Sequence, residues 1–598
     1  MKKIVLLLLT ITYIFAYRVK TPSDVYSYAM LLKEKVIYLR KKAGIKKPFP
    51  VVPVQHNKLP RHVIQKALEI LNKINTYRIT HNYGAIFVPP YPARKITPSD
   101  VYEMVKRVDA EVTPFIKDYK FLNSLKLVKY YGKTPNDVYR LLWEISLAFD
   151  DLLGIHGYTP TDVYALTNKL IKIVIFLRHT QNIYTLPKKP EYIPNLHPNH
   201  ALYTSYEFRK KLRTAEKYLW ISPTDVPKKP HRVITPTEVY DSVQYNIAEL
   251  QRIKYRLGVE RYFKTENIKE SKTPSDVVQN LKYAIKLMPT FDFNKKLIQY
   301  PITSLQKTPN HVYAVTEEIL KKLNILKNIR GISQNIKNPP YIYGLKPIFA
   351  YQKAIEATEK AIRLKKQMGF YPSQIPRAPL REITPNEVYE LVIRLDGIVT
   401  ILLHKAGYKK ADEYIYKINK KIPTDKTPSD VYHNLWKISN TFDLLLASEY
   451  TPNETFALSD KIKEKIVVLL KRLNIKKSAI NNVLNHKYHI SNKIPKDVFY
   501  LTLKFYENLK NVQKRLNMQK SKIVIPIEKD ITPNIVYNAL RIINASVNNI
   551  LIFKNIDDED INYKYKVYKN KTPTDVYINV LKLNNLLNLL YKDSNYEN

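Results

Sequence analysis

The chain has 598 residues, 45% of them hydrophobic, so it has enough apolar side chains for about four domains of ordinary size. It contains no cysteine, which excludes disulfide bonds, thiolate metal sites and a lipoprotein anchor. Lysine and arginine outnumber aspartate and glutamate by 98 to 53, and the net charge of +45 predicts attraction to anionic polymers.

The first predicted element is a signal peptide. Lys2 and Lys3 precede an apolar run from Ile4 to Ala16, and Ala16 fits the cleavage position. The run is short for a membrane-spanning helix, so residues 1–16 are predicted to direct export to the periplasm or beyond. A retained membrane anchor is the alternative. No later apolar run is long enough to predict a membrane-spanning segment after signal removal.

A seven-residue motif, KTPSDVY, follows at Lys20 and returns unchanged at Lys426. Thr21 is predicted to cap a helix, with Pro22 in the first helical position and Asp24 in the third. The acid also places negative charge at the positive end of the helix dipole. Because every residue of the motif suits a helix start, we interpret it as a structural element and not as a catalytic site.

The same capping role is predicted at each close copy of the motif. The predicted cap pairs are Thr21 and Asp24, Thr97 and Asp100, Thr134 and Asp137, Thr159 and Asp162, Thr235 and Glu238, Thr384 and Glu387, Thr427 and Asp430, and Thr572 and Asp575.

Counting the weakened copies, prolines of predicted caps recur sixteen times, mostly about 38 residues apart. The copies at 59–64, 197–202 and 346–351 have lost the threonine or the acid. A further copy at 222–226 is predicted not to start a helix, because Pro227 and Pro230 follow it.

The residue before the cap reveals a longer period. In four successive copies of the motif, starting at residue 96, this residue is isoleucine, then lysine, then tyrosine, and the fourth copy is weakened. Isoleucine returns in this position at 234 and at 383. We therefore predict an all-α protein of sixteen capped helical repeats, arranged as about four tandem four-helix cassettes. The predicted boundaries are 17–155, 156–303, 304–447 and 448–598. Segments 133–153 and 426–446 are especially alike, which indicates a duplicated pair of cassettes.

Apolar residues recur every three or four positions after each cap, which predicts amphipathic helices of about twenty residues. A typical linker of about fourteen residues, if extended, can run back along such a helix, so consecutive helices can be parallel. The short link 154–158 cannot, so the helices on either side of it are predicted to be antiparallel.

Motifs for catalysis and metal binding are scarce. The sequence has no glycine-rich phosphate loop, no HExxH and no nucleophile elbow. His197 with His200 and His486 with His489 could each hold a metal, but neither pair has a nearby carboxylate or cysteine, and solvated loops are the alternative. No cofactor and no catalytic residue are predicted.

The proline-flanked linkers are strongly basic. Their predicted polyanion contacts are Lys46, Lys47, Lys188, Lys189, Lys228, Lys229 and Arg232. The function predicted from these features is a non-catalytic exported scaffold or binding protein. Its partner would be an acidic glycan, lipopolysaccharide or nucleic acid, or a protein of a cell-envelope assembly; genome bias is the alternative source of the charge.

Two other functions are considered. An acidic-polysaccharide lyase would require one unrepeated cluster of histidine, tyrosine, arginine and asparagine in a cleft, which the sequence does not show but folding could assemble. A non-specific nucleic-acid-binding protein would require aromatic and basic residues along one groove.

Overall fold

The computed structural model describes residues 19–592, except 93, 182, 220, 258, 260, 292–306, 371–377, 409–421, 558–559 and 562–565. This part of the chain forms eighteen α-helices and one short 3-10 turn and contains no strand, so the all-α prediction is confirmed. None of these helices is long and apolar enough to cross a membrane. The predicted signal peptide 1–16 and the predicted boundary at 303/304 lie outside the described residues.

The helices are numbered in chain order. The first nine are α1 (Pro22–Lys42), α2 (Pro60–Thr80), α3 (Pro98–Val112), α4 (Tyr119–Ser124), α5 (Pro135–Leu153), α6 (Pro160–His179), α7 (Pro198–Tyr218), α8 (Pro236–Arg256) and α9 (Pro274–Leu287). The others are α10 (Pro309–Ile329), α11 (Pro347–Gln367), α12 (Pro385–Lys405), α13 (Pro428–Leu446), α14 (Pro452–Arg472), α15 (Lys477–Asn485), α16 (Pro495–Arg515), α17 (Pro533–Phe553) and α18 (Pro573–Lys592).

Every helix except α4 and α15 begins at a proline. Proline suits the first helical position because its missing N–H needs no partner there and its φ is already helical. The weakened copies of the motif also begin helices, at Pro60, Pro198 and Pro347. Residues 222–226 are not helical, as the prolines after them predict.

The chain divides into two compact units. The first contains Lys20–Ile116 and Lys126–Lys307, and the second contains Lys117–Leu125 and Thr308–Asn598. In the first unit, α1 and α2 both pack against α3 and α5, and these four helices are called group A. In group B, α6 and α7 both pack against α8 and α9. The second unit repeats this order in group C (α10–α13) and group D (α14, α16, α17 and α18).

The helices of a group run in the same direction. Between α1 and α5, Lys33 pairs with Glu144 and Arg40 with Asp151, and each pair is separated by 111 residues. Between α11 and α13, two hydrogen-bonded pairs are each separated by 83 residues. A constant separation along two helices requires that they be parallel. The linkers between them must therefore return the chain along the outside of the group.

Within each unit, one helix of each group packs against the other group. In the first unit α2 packs on α8, where Arg61 contacts Glu249 but Lys66, further along α2, contacts the earlier Asp241. Contacts in reversed order require antiparallel helices. Since α5 is parallel to α2 and α6 to α8, the two helices joined by the link 154–158 run in opposite directions, as its length predicts. In the second unit α11 packs on α17.

Candidate functional site

The predicted caps form hydrogen bonds at the first turn of their helices. In all eight predicted pairs, the backbone N–H of the threonine donates to the carboxylate three residues later, at 2.7–3.0 Å. Burial raises the pKa of Asp430, but hydrogen bonds from Thr427 outweigh it and leave the pKa below its usual value.

Three caps without an acid use histidine instead. The backbone N–H groups of Leu59, His197 and Thr308 donate to Nδ1 of the histidine three residues later, at 3.0–3.2 Å. Those acceptors are His62, His200 and His311. A neutral imidazole has one acceptor nitrogen, so it can replace the carboxylate in this position. Both histidines of the 197–200 pair are thus part of a helix start.

The residue between the proline and the acid connects neighbouring helices. The side-chain oxygen of this residue accepts a hydrogen bond from a backbone N–H of a neighbouring helix in the same group. That N–H belongs to the residue just before the N-cap of the neighbouring helix. In group B four such bonds form a closed ring at the N-terminal end. They join Tyr158 to Thr237, Ile234 to Asn199, Leu196 to Ser275 and Lys272 to Thr161, at 3.0–3.1 Å.

The lysine and the tyrosine of the motif also meet across helices. In each group, the lysine before the fourth helix lies over an aromatic ring of the first helix, in cation–π geometry. The pairs are Lys133 with Tyr26, Lys272 with Tyr164, Lys426 with Tyr313 and Lys571 with Phe456, at 4.5–5.4 Å. KTPSDVY therefore contains the contacts that start a helix and the contacts that join it to its neighbours.

The basic linker residues lie on the surface. Lys46, Lys47, Lys188, Lys189, Lys228, Lys229 and Arg232 are at least partly exposed. Two of them have acidic neighbours: Lys229 lies 4.0 Å from Glu207, and Arg232 lies 2.5 Å from Glu238.

Other cations are used inside the fold. The nineteenth residue of several helices donates from its side chain to a backbone carbonyl in the following linker, which fixes the turn after the helix. These donors are Arg40, Arg78, Arg178, Lys254 and Lys327. Part of the positive charge therefore binds backbone carbonyls, although Arg40 and Arg78 also contact the carboxylates of Asp151 and Glu111.

A buried charged cluster lies at the contact between groups A and B. In α2, Lys66 Nζ is 2.7 Å from Glu69, and Lys73 Nζ is 2.7 Å from Asp150 of α5. Ser146 donates to Glu69 at 2.6 Å. Lys66 also pairs with Asp241 of α8, on the other group.

The second unit contains an equivalent cluster at the contact between groups C and D. Lys353 and Glu356 of α11 are 2.8 Å apart, and Lys360 is 2.6 Å from Asp443 of α13. Ser439 donates to Glu356 at 2.6 Å, as Ser146 does to Glu69. The link to the other group differs, because Lys353 donates to the amide oxygen of Asn538 at 2.9 Å.

Burial and ion pairing oppose each other in both clusters. Burial raises the pKa of Glu69 and Glu356, but the neighbouring lysines outweigh it and leave both pKa values lowered. Burial prevails at other groups. It raises the pKa of Asp241 to about 6 and that of Asp443 to about 6, although lysines lie beside both carboxylates. Burial also lowers the pKa of Lys353, in spite of Glu356. The clusters therefore join helices through ionisable groups whose desolvation is offset by short, specific contacts.

Sequence reasoning missed these clusters, although a signal was present. KALEILNK at 66–73 and KAIEATEK at 353–360 share a lysine, a glutamate and a second lysine at the same spacing. Both lie in helices whose caps are weakened, so the repeats of the cap motif do not reveal them. A comparison of helix interiors would have found them.

One unrepeated cluster contains the residue types expected for a lyase. The rings of His62 and Tyr245 stack with centroids 3.9 Å apart, and the Arg209 guanidinium lies 3.9 Å from the same tyrosine ring. Arg209 Nε donates to Asn246 Oδ1 at 2.9 Å. All four side chains are buried. Burial lowers the pKa of His62 to about 3 and raises that of Tyr245.

In the part of the chain that the structure describes, no group of three or more histidine, aspartate or glutamate residues is arranged to hold a metal. His486 instead packs edge-on against Tyr488, with ring centroids 4.5 Å apart. No protein-family model, no curated protein and no solved structure matches the chain.

Proposed function

We propose that this protein is a non-catalytic, exported helical scaffold whose basic linkers contact an anionic polymer of the cell envelope. The observation that supports this proposal is the exposure of the seven predicted linker cations, on segments that run along the outside of groups A and B. Proline-flanked segments hold charges close together at little entropic cost. Export is inferred from the sequence of residues 1–16.

The architecture proposed with this function is a set of four cassettes in tandem along the chain, each built from four capped, parallel helices. The same order of helix contacts in groups A to D supports it, as do the equivalent charged clusters of α2 and α11. A duplicated pair of cassettes would present similar linkers repeatedly, which suits a repetitive polymer.

Binding of heparin, DNA and lipopolysaccharide over a range of salt concentrations tests the proposal. Affinity should fall steeply between roughly 50 and 200 mM salt, because binding releases counterions. Changing the six linker lysines to glutamine should make this salt dependence shallower. Those lysines are Lys46, Lys47, Lys188, Lys189, Lys228 and Lys229.

A matched control changes six exposed lysines on helices to glutamine: Lys41, Lys211, Lys217, Lys471, Lys496 and Lys504. Equal effects of the two sets would show that the linkers only connect helices. The absence of binding to all three polymers at low salt would reject a polyanion partner, and a scaffold for envelope proteins would then be favoured.

The cluster of His62, Tyr245, Arg209 and Asn246 favours an acidic-polysaccharide lyase as the second candidate. Its burial argues against direct access by a polymer, and the raised pKa of Tyr245 argues against its acting as a base near neutral pH. Incubation with polygalacturonate, alginate and hyaluronan, followed by ultraviolet absorbance of the unsaturated product, tests it. Product formation that is lost in Tyr245→Phe and kept in Tyr184→Phe would favour the lyase.

A further inference from the structure

Lys58 stands out among the cations at the contact between groups A and B. It is half-buried, and its Nζ lies 4.2 Å from the ring centroid of Tyr139 and 5.2 Å from that of Tyr245. Arg209 also lies against this contact, 3.9 Å from the Tyr245 ring. Lys58 and Arg209 therefore both lie close to the ring of Tyr245.

Neither cation has an acidic partner. Arg209 donates to Asn246 and to the backbone and hydroxyl of Ser242, all of which are neutral. Among the described residues, no carboxylate forms an ion pair with Lys58 or Arg209. Of the nearby carboxylates, Glu249 pairs with Arg61 and Asp241 pairs with Lys66 through Oδ1, while Asp241 Oδ2 forms no hydrogen bond.

The second unit shows that the fold does not require these cations. The residue before the cap of α11, in the position of Lys58, is Leu345, and the twelfth residue of α16, in the position of Arg209, is Tyr506. Both are buried. In the position of Tyr245 the second unit has Ile542, whereas the position of Tyr139 is again a tyrosine, Tyr432.

Cations that lose water without gaining a counter-ion are unfavourable, and the second unit has leucine and tyrosine in the equivalent positions. From this difference we propose that Lys58 and Arg209 form a binding site for a single oxyanion group, a carboxylate of an acidic sugar or a phosphate. The bound anion would act as the counter-ion that Lys58 and Arg209 lack among the described residues. Tyr139 would pack against the rest of the ligand, because His62 and Arg209 already cover the ring of Tyr245.

The protonation of Lys58 supports this assignment. Burial, together with the charges of Arg209 and Lys66, lowers the pKa of Lys58 to about 7, and Asp241 only partly opposes them. The other titratable groups around it are Tyr139, Tyr245 and His62, and His62 is neutral near pH 7. An anion beside the amine would raise its pKa. Binding above pH 7 would therefore take up a proton, and affinity would fall as pH rises.

Titration calorimetry on the full chain tests the site, with inorganic phosphate and tri-galacturonate as the probes. We expect saturable binding of at least one probe, and the stronger of the two identifies the source of the oxyanion. Lys58→Leu and Arg209→Tyr copy the second unit and should each weaken binding at least tenfold. Lys211→Leu, an exposed lysine on α7, should change it less than twofold.

Circular dichroism should show that the variants are folded, because leucine and tyrosine occupy these positions in the second unit. Titrations at pH 8 in two buffers of different ionisation enthalpy should reveal proton uptake that is absent in Lys58→Leu. Failure of the wild-type protein to bind either probe, or unchanged binding in folded Lys58→Leu, would overturn the proposal. Neither result bears on the linker lysines, so the proposed polymer contact is judged separately.

Discussion

Ser429 illustrates how one side chain of the motif serves two helices. It is the second residue of α13, and its hydroxyl accepts the buried backbone N–H of Leu345, just before α11, at 3.1 Å. A backbone N–H that loses its partner inside a protein costs the full desolvation of that group. The close copies of the motif accordingly have serine, threonine or asparagine in this position.

We expect Ser429→Ala to lower the free energy of unfolding by about 1–2 kcal/mol, because Leu345 N–H becomes unpaired. Thr427→Ala, which removes the cap hydroxyl of the same helix, should cost about 1 kcal/mol. Denaturant titration measures both. The exposed Ser491→Ala serves as the control and should change stability by less than about 0.5 kcal/mol. No loss in Ser429→Ala would show that water satisfies the Leu345 N–H.

Asp443 should make stability depend on pH in a defined window. Its pKa is raised to about 6 in the folded protein, chiefly by burial, and is near 4 when unfolded. Between those values the folded state binds more protons than the unfolded state, so this group makes the protein less stable as pH rises from about 4 to about 6. The amide in Asp443→Asn cannot ionise, so that variant lacks this loss.

Denaturant titrations of wild type and Asp443→Asn at pH 4, 5, 6 and 7 test this effect. Relative to wild type, the variant should gain about 1–3 kcal/mol of stability between pH 4 and pH 6, since each unit of pKa shift corresponds to about 1.4 kcal/mol. A difference that stays constant with pH would mean that folding leaves the pKa of Asp443 near its unfolded value.

At the scale of the helices, a buried polar pair joins the first and third helices of three groups. Lys35 contacts Asp109 at 2.6 Å in group A, and equivalent pairs join Lys322 to Asp396 and Lys465 to Asn544. Group B has Ile173 and Ile247 in these positions, both buried. Three groups therefore use a polar contact where one uses an apolar contact of the same helices.

This natural substitution suggests a double-mutant experiment. Lys35→Ile alone should destabilise the protein by about 3–5 kcal/mol, because it leaves the Asp109 carboxylate buried and unpaired. Lys35→Ile with Asp109→Ile should restore most of that loss, because group B packs isoleucines in the same two places. Thermal and denaturant unfolding measure both variants. A double variant as unstable as the single one would show that group A cannot adopt the packing of group B.

The ends of α5 and α13 also differ in a testable way. Both stop at a residue in the left-handed region, with φ +66° at Gly154 and φ +49° at Ala447. Alanine is strained there because its Cβ approaches the following carbonyl, whereas glycine is not. The link after α13 therefore contains strain that the link after α5 avoids.

Ala447→Gly should raise the free energy of unfolding by about 0.5–1 kcal/mol, since relief of strain exceeds the extra entropy of glycine in the unfolded chain. Gly154→Ala is the reciprocal control and should lower it by a similar amount. The space that a Cβ would occupy at Gly154 is open, so the effect would come from the backbone and not from a clash. Stabilisation by both changes would contradict this reasoning.

For the whole molecule, the main physical property is the net charge of +45. Some lysines and arginines form buried ion pairs or bind backbone carbonyls. These contacts do not change the net charge of the protein. Like charges repel across a protein surface and destabilise the compact state. The repulsion acts over the Debye length, so it responds to salt.

Raising NaCl from about 0.1 to about 1 M shortens the Debye length from about 10 to about 3 Å and should raise the melting temperature by a few degrees. The variant with six glutamines in the linkers has less charge and should respond less. Scanning calorimetry measures both. A melting temperature that falls with salt would mean that exposed attractive pairs outweigh the repulsion.

The sequence alone determined where the helices begin, because a cap depends on atoms within a few residues. Thr427, Pro428 and Asp430 supply all the groups for the first turn of α13. The length of the link 154–158 also determined that its flanking helices run in opposite directions, since a short chain cannot return along a helix of about 30 Å.

Only the tertiary structure decided which side chains meet. Lys66 and Asp241 are 175 residues apart in the chain, and Lys58 reaches Tyr245 only because α2 packs on α8. Helical periodicity indicates which face of a helix is apolar, but not which helix covers it. Contacts between distant helices depend on the order of packing around each group, and that order follows from the combined shape of many side chains and not from any local pattern.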